Sequence, residues 1–510
     1  MLSKICSATC LGIDAYLIEI EVDVANGLPQ VIIVGLPDQA VKESKERVRS
    51  ALKNSGFLLS PKKITVNLAP ADTKKEGPAF DLAIALGILA SSGFLKLDGL
   101  HKFLFVGELA LDGSLREIKG ALPIANLTRR KNLSLVLPEP NAKEASLLEN
   151  VPMFTAQSLK QVVEWINGKE NLKKVPNEWS AFLAESTEKD GLDFSEVKGQ
   201  FHAKRAAEIA ASGLHNLLLI GPPGAGKTMI AKRIPSILPE LSHTEYLEIA
   251  KIYRAAGLMT NGGLRTLKRP FRAPHHTVSQ MGLVGGGSFP RPGEITLAHS
   301  GVLFLDEFPE FRRDAIEALR APIEEGWILI SRAKMNFVFP AQFLTICAMN
   351  PCPCGYLTSS RRACCCTMSQ IQKYHQKISG PILDRIDLHV EMPAIEYKDL
   401  VSQVPQENSE TIRKRVLQAR GIQAERFYGH PGKTNALMTV KEIKKYCVIT
   451  DLGKKLLEQA MKELGLSARG YHKILKIGRT IADLASSEII QEEHIAEAIQ
   501  YRTLDRNWFG

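Results

Sequence analysis

The sequence predicts an α/β protein: a phosphate-loop fold with a helical region behind it and a separate mixed α/β unit in front. Three observations carry this reading. A G-x-x-x-x-G-K-[ST] signature sits between an apolar run and a helix-compatible one. Strand and helix patterns alternate along the N-terminal part, and the C-terminal part reads as helix throughout.

With 510 residues the chain has room for about three domains of ordinary size. Composition and punctuation place a front unit at 1–170, a polar linker at 171–190 around Pro176, a core at 191–395 and a helical lid at 396–510. In the front unit, 15–24 alternates apolar and polar residues as a strand does, and 30–34 reads as a second strand. Residues 38–53 hold Val41, Val48 and Leu52 at helical spacing among charges, which predicts an amphipathic helix. Strands over 63–68, 103–106 and 133–137 then alternate with helices over 80–90 and 122–130. No nucleotide or metal signature falls in this unit.

The core is organised around Gly221, Pro222, Pro223, Gly224, Ala225, Gly226, Lys227 and Thr228. The apolar run 216–220 suits a buried parallel strand, and 229–237 can continue as helix. In that context the glycines let successive backbone N–H groups turn toward one polyphosphate. Lys227 would reach the outer phosphates and Thr228 would ligate magnesium, so ATP and Mg2+ are the expected cofactors. Further on, the apolar run 302–305 ends in Asp306 and Glu307. Asp306 would hold the magnesium, mostly through water, and Glu307 would polarise the attacking water. Upstream, 197–200 and the helical stretch 202–212 stand where an adenine-contacting segment would precede the phosphate-loop strand. These parts predict ATP hydrolysis.

Residues 258–300 are poor in core periodicity, and so long a stretch inside a core is usually functional. Within it, Arg269-Pro270-Phe271-Arg272-Ala273-Pro274-His275-His276 leaves three readings of the paired histidines open: metal ligands, phosphate contacts or ordinary surface residues. Gly285-Gly286-Gly287 lacks a strand–helix frame and reads as a mobile, substrate-facing loop. A helix over 312–325 leads to 328–339, a hairpin with Arg332 and Lys334 near its tip. Those two are candidates to contact DNA from a pore, with plain surface charge as the other account. A buried strand over 343–349 ends in Asn350, placed to orient water and sense the outer phosphate. In Gly380-Pro381-Ile382-Leu383-Asp384-Arg385-Ile386-Asp387, Arg385 suits insertion into a neighbour's site as an arginine finger. The competing account is a salt bridge to Asp384 or Asp387. A guanidinium supplied in trans requires an oligomer, so a ring is expected. Helices over 411–426, 440–446, 451–464, 467–484 and 491–502 follow, and a lid of this kind would lay Arg469 over the phosphates.

Six of the nine cysteines fall between Cys347 and Cys366. Cys352, Cys354, Cys364 and Cys366, taken as two C-x-C pairs, can make a tetrahedral zinc site with Cys365 pointing away. Free buried thiols are the alternative. Arg361 and Arg362 add charge beside them that would suit DNA phosphates. The clustering fits a reducing cytosol better than a disulfide framework. The first twelve residues have too little apolar length for a signal peptide, and no apolar run of about eighteen residues exists, so a cytoplasmic protein without membrane contact is expected. The formal charge of +10 is compatible with a polyanionic partner.

Lys75-Glu76-Gly77-Pro78-Ala79, the run 107–113 (Gly-Glu-Leu-Ala-Leu-Asp-Gly) and Val136-Leu137-Pro138 resemble the peptidase domain of Lon proteases. In that family a serine follows the Gly-Pro pair and a lysine lies in the helix after the Gly-Glu strand. Here Ala79 and, aligned without gaps, Leu122 and Ile124 stand at those positions, so the serine–lysine mechanism has no parts. The front unit therefore reads as a Lon-peptidase-like α/β domain lacking the catalytic dyad, used for assembly or for guiding a substrate.

Residues 221–228, 269–276, 302–307, 350–355, 380–387 and 467–472 together are similar to the magnesium-chelatase-like branch of the AAA+ ATPases. Combined with the front unit they resemble the ComM/YifB family. The resemblance implies an AAA+ P-loop motor with a helical lid, forming a hexameric ring helicase on single-stranded and branched DNA. Such a ring would drive branch migration while transforming DNA is integrated. The resemblance gives Lys227, Thr228, Asp306, Glu307, Asn350, Arg385 and Arg469 the roles described above. Two other readings keep the same motor: a ring that remodels protein, and the motor subunit of a metal-inserting chelatase.

Overall fold

A computed structural model describes residues 2–71, 75, 77–96, 98–177, 179, 191–259, 268–287, 290–332, 335–358, 362–395 and 405–502. The chain forms two compact units, Met1–Glu188 with Tyr246–Leu267, and Lys189–Glu245 with Lys268–Gly510. The front unit thus takes in a stretch that the sequence reads as part of the core. There Tyr246, Leu247 and Ala250 join its hydrophobic cluster, and Arg254 pairs with Glu144 at 2.5 Å.

Two strands open the front unit as a hairpin, β1 (Leu2–Leu11) and β2 (Asp14–Ala25), with Leu2 opposite Asp23 and Leu11 opposite Asp14. Strand β1 has no counterpart in the sequence reading because its inward face carries Ser3, Ser7 and Thr9. Two of those hydroxyls are satisfied by carbonyls, Ser3 Oγ donating to Gly87 O and Ser7 Oγ to Phe105 O, each at 2.8 Å. That pairing removes most of the cost of burying them. With β3 (Gln30–Val34), β4 (Lys63–Ala69), β5 (Phe103–Phe105), β6 (Ser134–Pro138), β7 (Met153–Ala156) and β8 (Lys173–Lys174), the sheet runs β8-β7-β6-β5-β1-β2-β4-β3. The stretch read as a linker therefore begins inside this sheet, with Leu172, Val175 and Trp179 buried.

Helix α1 (Gln39–Asn54) starts at Asp38, whose carboxylate accepts the Val41 N–H at 2.8 Å. Helix α2 (Asp81–Ser91) is buried at every position. Asp81 is tolerated there because Arg47 holds both its oxygens, at 2.8 and 3.2 Å. Leu122 and Ile124 are core residues and Ala79 packs against the same cluster, so the positions of the absent dyad are filled by apolar packing.

The second unit is built on β9 (Leu217–Ile220), β10 (Phe271–Arg272), β11 (Val302–Leu305), the hairpin β12 (Trp327–Arg332) and β13 (Met335–Pro340), β14 (Leu344–Met349) and β15 (Leu388–Glu391). Its central sheet is wholly parallel in the order β10-β11-β14-β9-β15. Strands β9, β11 and β14 are buried at every position, as both faces of such a sheet are covered. Asn216 sets the strand starts: its N–H reaches Asp387 Oδ2 at 3.1 Å, its Oδ1 accepts the Thr345 N–H at 2.9 Å, and its Nδ2 donates to Arg385 O at 3.2 Å. The single helix read over 312–325 is two, Arg313–Glu317 and Arg320–Glu325. Pro322 has no N–H to give to Ala318 and breaks it.

Helix α3 (Lys227–Arg233) follows the phosphate loop, and the C-terminal helices are α4 (Ser409–Arg426), α5 (Val440–Tyr446), α6 (Asp451–Leu464), α7 (Ala468–Leu484) and α8 (Glu492–Gln500). Among the described residues no helix is long and apolar enough to cross a membrane. The C-terminal helices share a polar centre: fully buried Asp483 accepts from Arg426 at 2.7 and 2.6 Å, from Arg479 at 3.0 Å and from Asn435 at 2.7 Å. Removing that carboxylate leaves two guanidinium groups facing each other in the interior. Asp483→Ala is expected to cost about 3–5 kcal/mol, read as a lower midpoint in thermal or urea unfolding.

Candidate nucleotide site and thiolate cluster

The register brings the predicted site residues to one end of the sheet. Ile220 pairs with Met349 and Leu305 with Cys347, so Gly221, Asp306 and Asn350 emerge side by side. Gly224 and Gly226 hold left-handed φ values of 78° and 90°, and a β-carbon at Gly221 would lie 2.4 Å from Met392 O. Lys227 Nζ donates to Gly221 O at 2.5 Å, Pro222 O at 3.0 Å and Asn350 Oδ1 at 3.1 Å. Burial pushes its ammonium down to about 8, against the pull of the Asp306 carboxylate. Thr228 Oγ1 donates to Asp306 Oδ2 at 2.8 Å. Those two hard oxygens are the donor set magnesium takes beside phosphates, so the residues fit the metal the motif implies. Gln200 reaches the same loop, its Nε2 donating to Ala225 O at 3.1 Å and to Pro393 O at 2.7 Å.

Glu307 sits in the left-handed region at φ 53°, and its Oε2 lies 3.0 Å from His276 Nδ1. The His276 ring lies tilted against His275, centroids 4.1 Å apart, and packs edge-to-face with Phe311. None of the three readings of the histidine pair foresaw this contact. The signal was local: His276 comes soon after β10, whose pairing with β11 carries it to the end of the strand before Asp306. Arg272 fixes that strand through two 2.7 Å bonds to Glu294.

Arg385 and Arg469 are elsewhere. Both line a cavity of about 390 Å³ together with Asn216, Glu324, Asp387 and Lys473. Asn216 precedes β9 and the phosphate loop follows it, so this cavity lies at the opposite end of the sheet. The lid therefore does not lay Arg469 over the chain's own phosphates. The reason is one turn along α7, where Lys473 Nζ binds Asp387 Oδ1 at 2.9 Å and Ile386 O at 3.1 Å and holds the first turn beside Arg385. Burial alone would push the Asp387 carboxyl up, but Lys473 and His215 hold it well below the usual carboxylate range. Arg385 pairs with neither Asp384 nor Asp387. It bonds Glu324 at 2.7 Å and Pro381 O at 2.6 Å, and among the described residues its Nε has no hydrogen-bond partner.

The four predicted thiols come together. Cys352, Cys354, Cys364 and Cys366 have all their sulfurs within 4.8 Å of one another, while Cys365 is exposed. Backbone N–H groups of Tyr356 and Cys365 pull the Cys354 thiol down to about 5. Arg362 stacks on Tyr356 at 4.7 Å. Lys334 and Arg361 lie outside the described residues, and of Arg332 only the backbone is described, paired with Met335 at the end of the hairpin.

Two outcomes are expected from this geometry. Nucleotide affinity should be flat below pH 8 and weaken by up to about tenfold per pH unit above it, as Lys227 loses the proton that phosphate favours. A fluorescent ATP analogue titrated between pH 7 and 9.5 checks this, and Lys227→Arg should remove the slope. Since His276 orients Glu307, His276→Ala should lower the turnover number about tenfold and leave nucleotide affinity within about twofold, measured by steady-state and binding titrations.

Comparison with known proteins places the chain in a family. The family described as magnesium chelatase, subunit ChlI, matches residues 193–400; a ChlI family matches 20–141, and the ChlI C-terminal family matches 406–502. The competence protein ComM of Haemophilus influenzae is 45% identical over 506 residues, covering 99% of this chain and 98% of that protein. A YifB protein of Salmonella typhimurium is 44% identical, covering 97% and 96%. Lon protease 2 of Bacillus subtilis is 25% identical over 146 residues, 28% of this chain. The chain belongs to the ComM/YifB family of magnesium-chelatase-like AAA+ ATPases.

Proposed function

We propose that the chain is a ring-forming motor, built as a hexamer, that couples ATP hydrolysis to movement along single-stranded or branched DNA and so drives branch migration as transforming DNA is integrated. The observation that carries the ring is the placement of Arg385 and Arg469 at the sheet end remote from their own phosphate loop. Each loop then gains its arginines from a second copy, and the guanidinium groups stabilise charge on the transferring phosphate. Within one copy, Lys227 and the loop N–H groups hold the phosphates, Thr228 and Asp306 hold magnesium, Glu307 polarises water and Asn350 orients it. Bound MgATP supplies the phosphoryl group that is transferred.

For DNA as the substrate, support comes from the +10 charge, the hairpin ending at Arg332, and the printed name of the Haemophilus relative as a competence protein. Arg332, Lys334, Arg361 and Arg362 are its proposed contacts. The thiolate cluster takes structural zinc, and the work is cytoplasmic. A ring that remodels protein is the second reading, favoured over a chelatase motor by Leu329 and Val338. These face each other on the hairpin and are 48% and 56% exposed.

The deciding measurement is ATP turnover with and without DNA. Single-stranded or forked DNA should stimulate the wild type several-fold and Glu307→Gln not at all, with DNA affinity falling linearly in log–log plots against salt. Stimulation by unfolded protein alone would favour remodelling instead. Arg385→Ala should lose about 10³-fold in turnover. Mixed in equal amounts, Glu307→Gln and Arg385→Ala should regain about a quarter of wild-type turnover, because one in four interfaces then combines an intact loop with an intact arginine.

A further inference from the structure

We propose that the thiolate cluster is a zinc site that forms one wall of the nucleotide site, so that zinc occupancy sets ATP affinity. The proposal rests on reading 221–228 as the nucleotide site.

The cluster has the dimensions of a metal tetrahedron. Cys352 Sγ lies 3.4 Å from Cys354 Sγ and 3.6 Å from Cys364 Sγ, and Cys354 Sγ lies 3.6 Å from Cys364 Sγ. A zinc ion at about 2.3 Å from each sulfur needs edges of about 3.8 Å, a small expansion of these three, and Cys366 supplies the fourth corner within 4.8 Å. Four sulfur donors select zinc among the common divalent ions. Little else holds the loop. Among the described residues of 352–366 only Cys352 and Gly355 are buried, so there is no apolar core to fix its shape. A loop of this kind takes its order from the ion.

The same loop is continuous with the nucleotide site. Asn350, which accepts from Lys227 Nζ, is two residues before the first ligand. Gly355 turns back through a bond from its N–H to Cys352 O at 2.9 Å and sits at φ 84°. A β-carbon there would lie 2.8 Å from Pro223 Cδ and 3.7 Å from Asn350 Cγ, so its backbone leans directly on the phosphate loop. On the far side, Thr367 caps the helix Met368–His375 immediately after Cys366, and His375 Nε2 returns to Pro351 O at 3.0 Å. The polypeptide thus leaves the cluster and closes back onto the residue between Asn350 and Cys352. Among the described residues the two C-x-C arms are otherwise joined by the Cys365 N–H bond to Cys354 and the Arg362–Tyr356 contact. The ion would be the strongest tie between them, so its loss loosens Gly355 against Pro223 and Asn350 against Lys227.

The test uses the full-length chain and three readouts: zinc by elemental analysis, affinity for a fluorescent ATP analogue, and circular dichroism. As purified, the protein should hold about one zinc per chain. Stripping it with a mercurial and chelator should weaken nucleotide binding at least about tenfold, and added zinc should restore it. Gly355→Val should keep its zinc and its circular dichroism and show the same weakening. Should stripping unfold the chain, partly stripped and still folded samples decide, in which the fraction binding nucleotide should follow the zinc content. Absence of zinc, or binding by the stripped, still folded chain within about twofold of wild type, overturns the proposal. Lys227→Ala separates the two readings: it should abolish nucleotide binding with zinc retained, and undiminished binding there would mean that the nucleotide site, not its zinc wall, was misplaced.

Discussion

The parallel pairing of β9 between β14 and β15 is the constraint from which the second unit follows. Parallel strands put all their C-terminal ends on one side, so residues far apart in sequence must meet there. Gly221, Asp306 and Asn350 each follow a strand of this sheet, and the hydrogen bonds among Lys227, Asn350, Thr228 and Asp306 are the product of register. The same rule sends everything that precedes a strand to the other side. Asn216, Arg385 and Asp387 gather there, and Lys473 draws the first turn of α7 to join them.

Burial gives each group its character. Lys227 is held among carbonyls in a fixed place, at the cost of a depressed proton affinity. In the front unit the same force works without chemistry. Asp81 and Arg47 neutralise one another inside the core, and Leu122 and Ile124 are packed there as plain apolar residues.

Much of this was legible in the chain. Glycine spacing, apolar strands ending in polar residues and helical periodicity located the phosphate loop, Asp306, Glu307, Asn350 and most elements within a residue or two. Cysteine spacing chose the four thiols that converge. What escaped depended on partners distant in sequence. Strand β1 hid because serines face its interior, and their acceptors, Gly87 and Phe105, belong to other elements. That Arg469 lies away from its own phosphate loop was not legible, because a motif gives the start of a helix and not the direction in which Lys473 pulls it. The His276–Glu307 contact and the Glu324–Arg385 pair needed the sheet order, which no single stretch encodes.

The separation of phosphate loop and arginines has a geometric corollary. In the proposed ring, a subunit with a socket at one end and a plug at the other would make head-to-tail contacts, and such contacts either close or spiral depending only on the rotation per step. The same surfaces can serve a flat circle and a split washer. In the washer, the subunit at one lip has an empty socket and the subunit at the other an idle plug. Such a seam can advance around the assembly one subunit at a time without any residue changing its partner type.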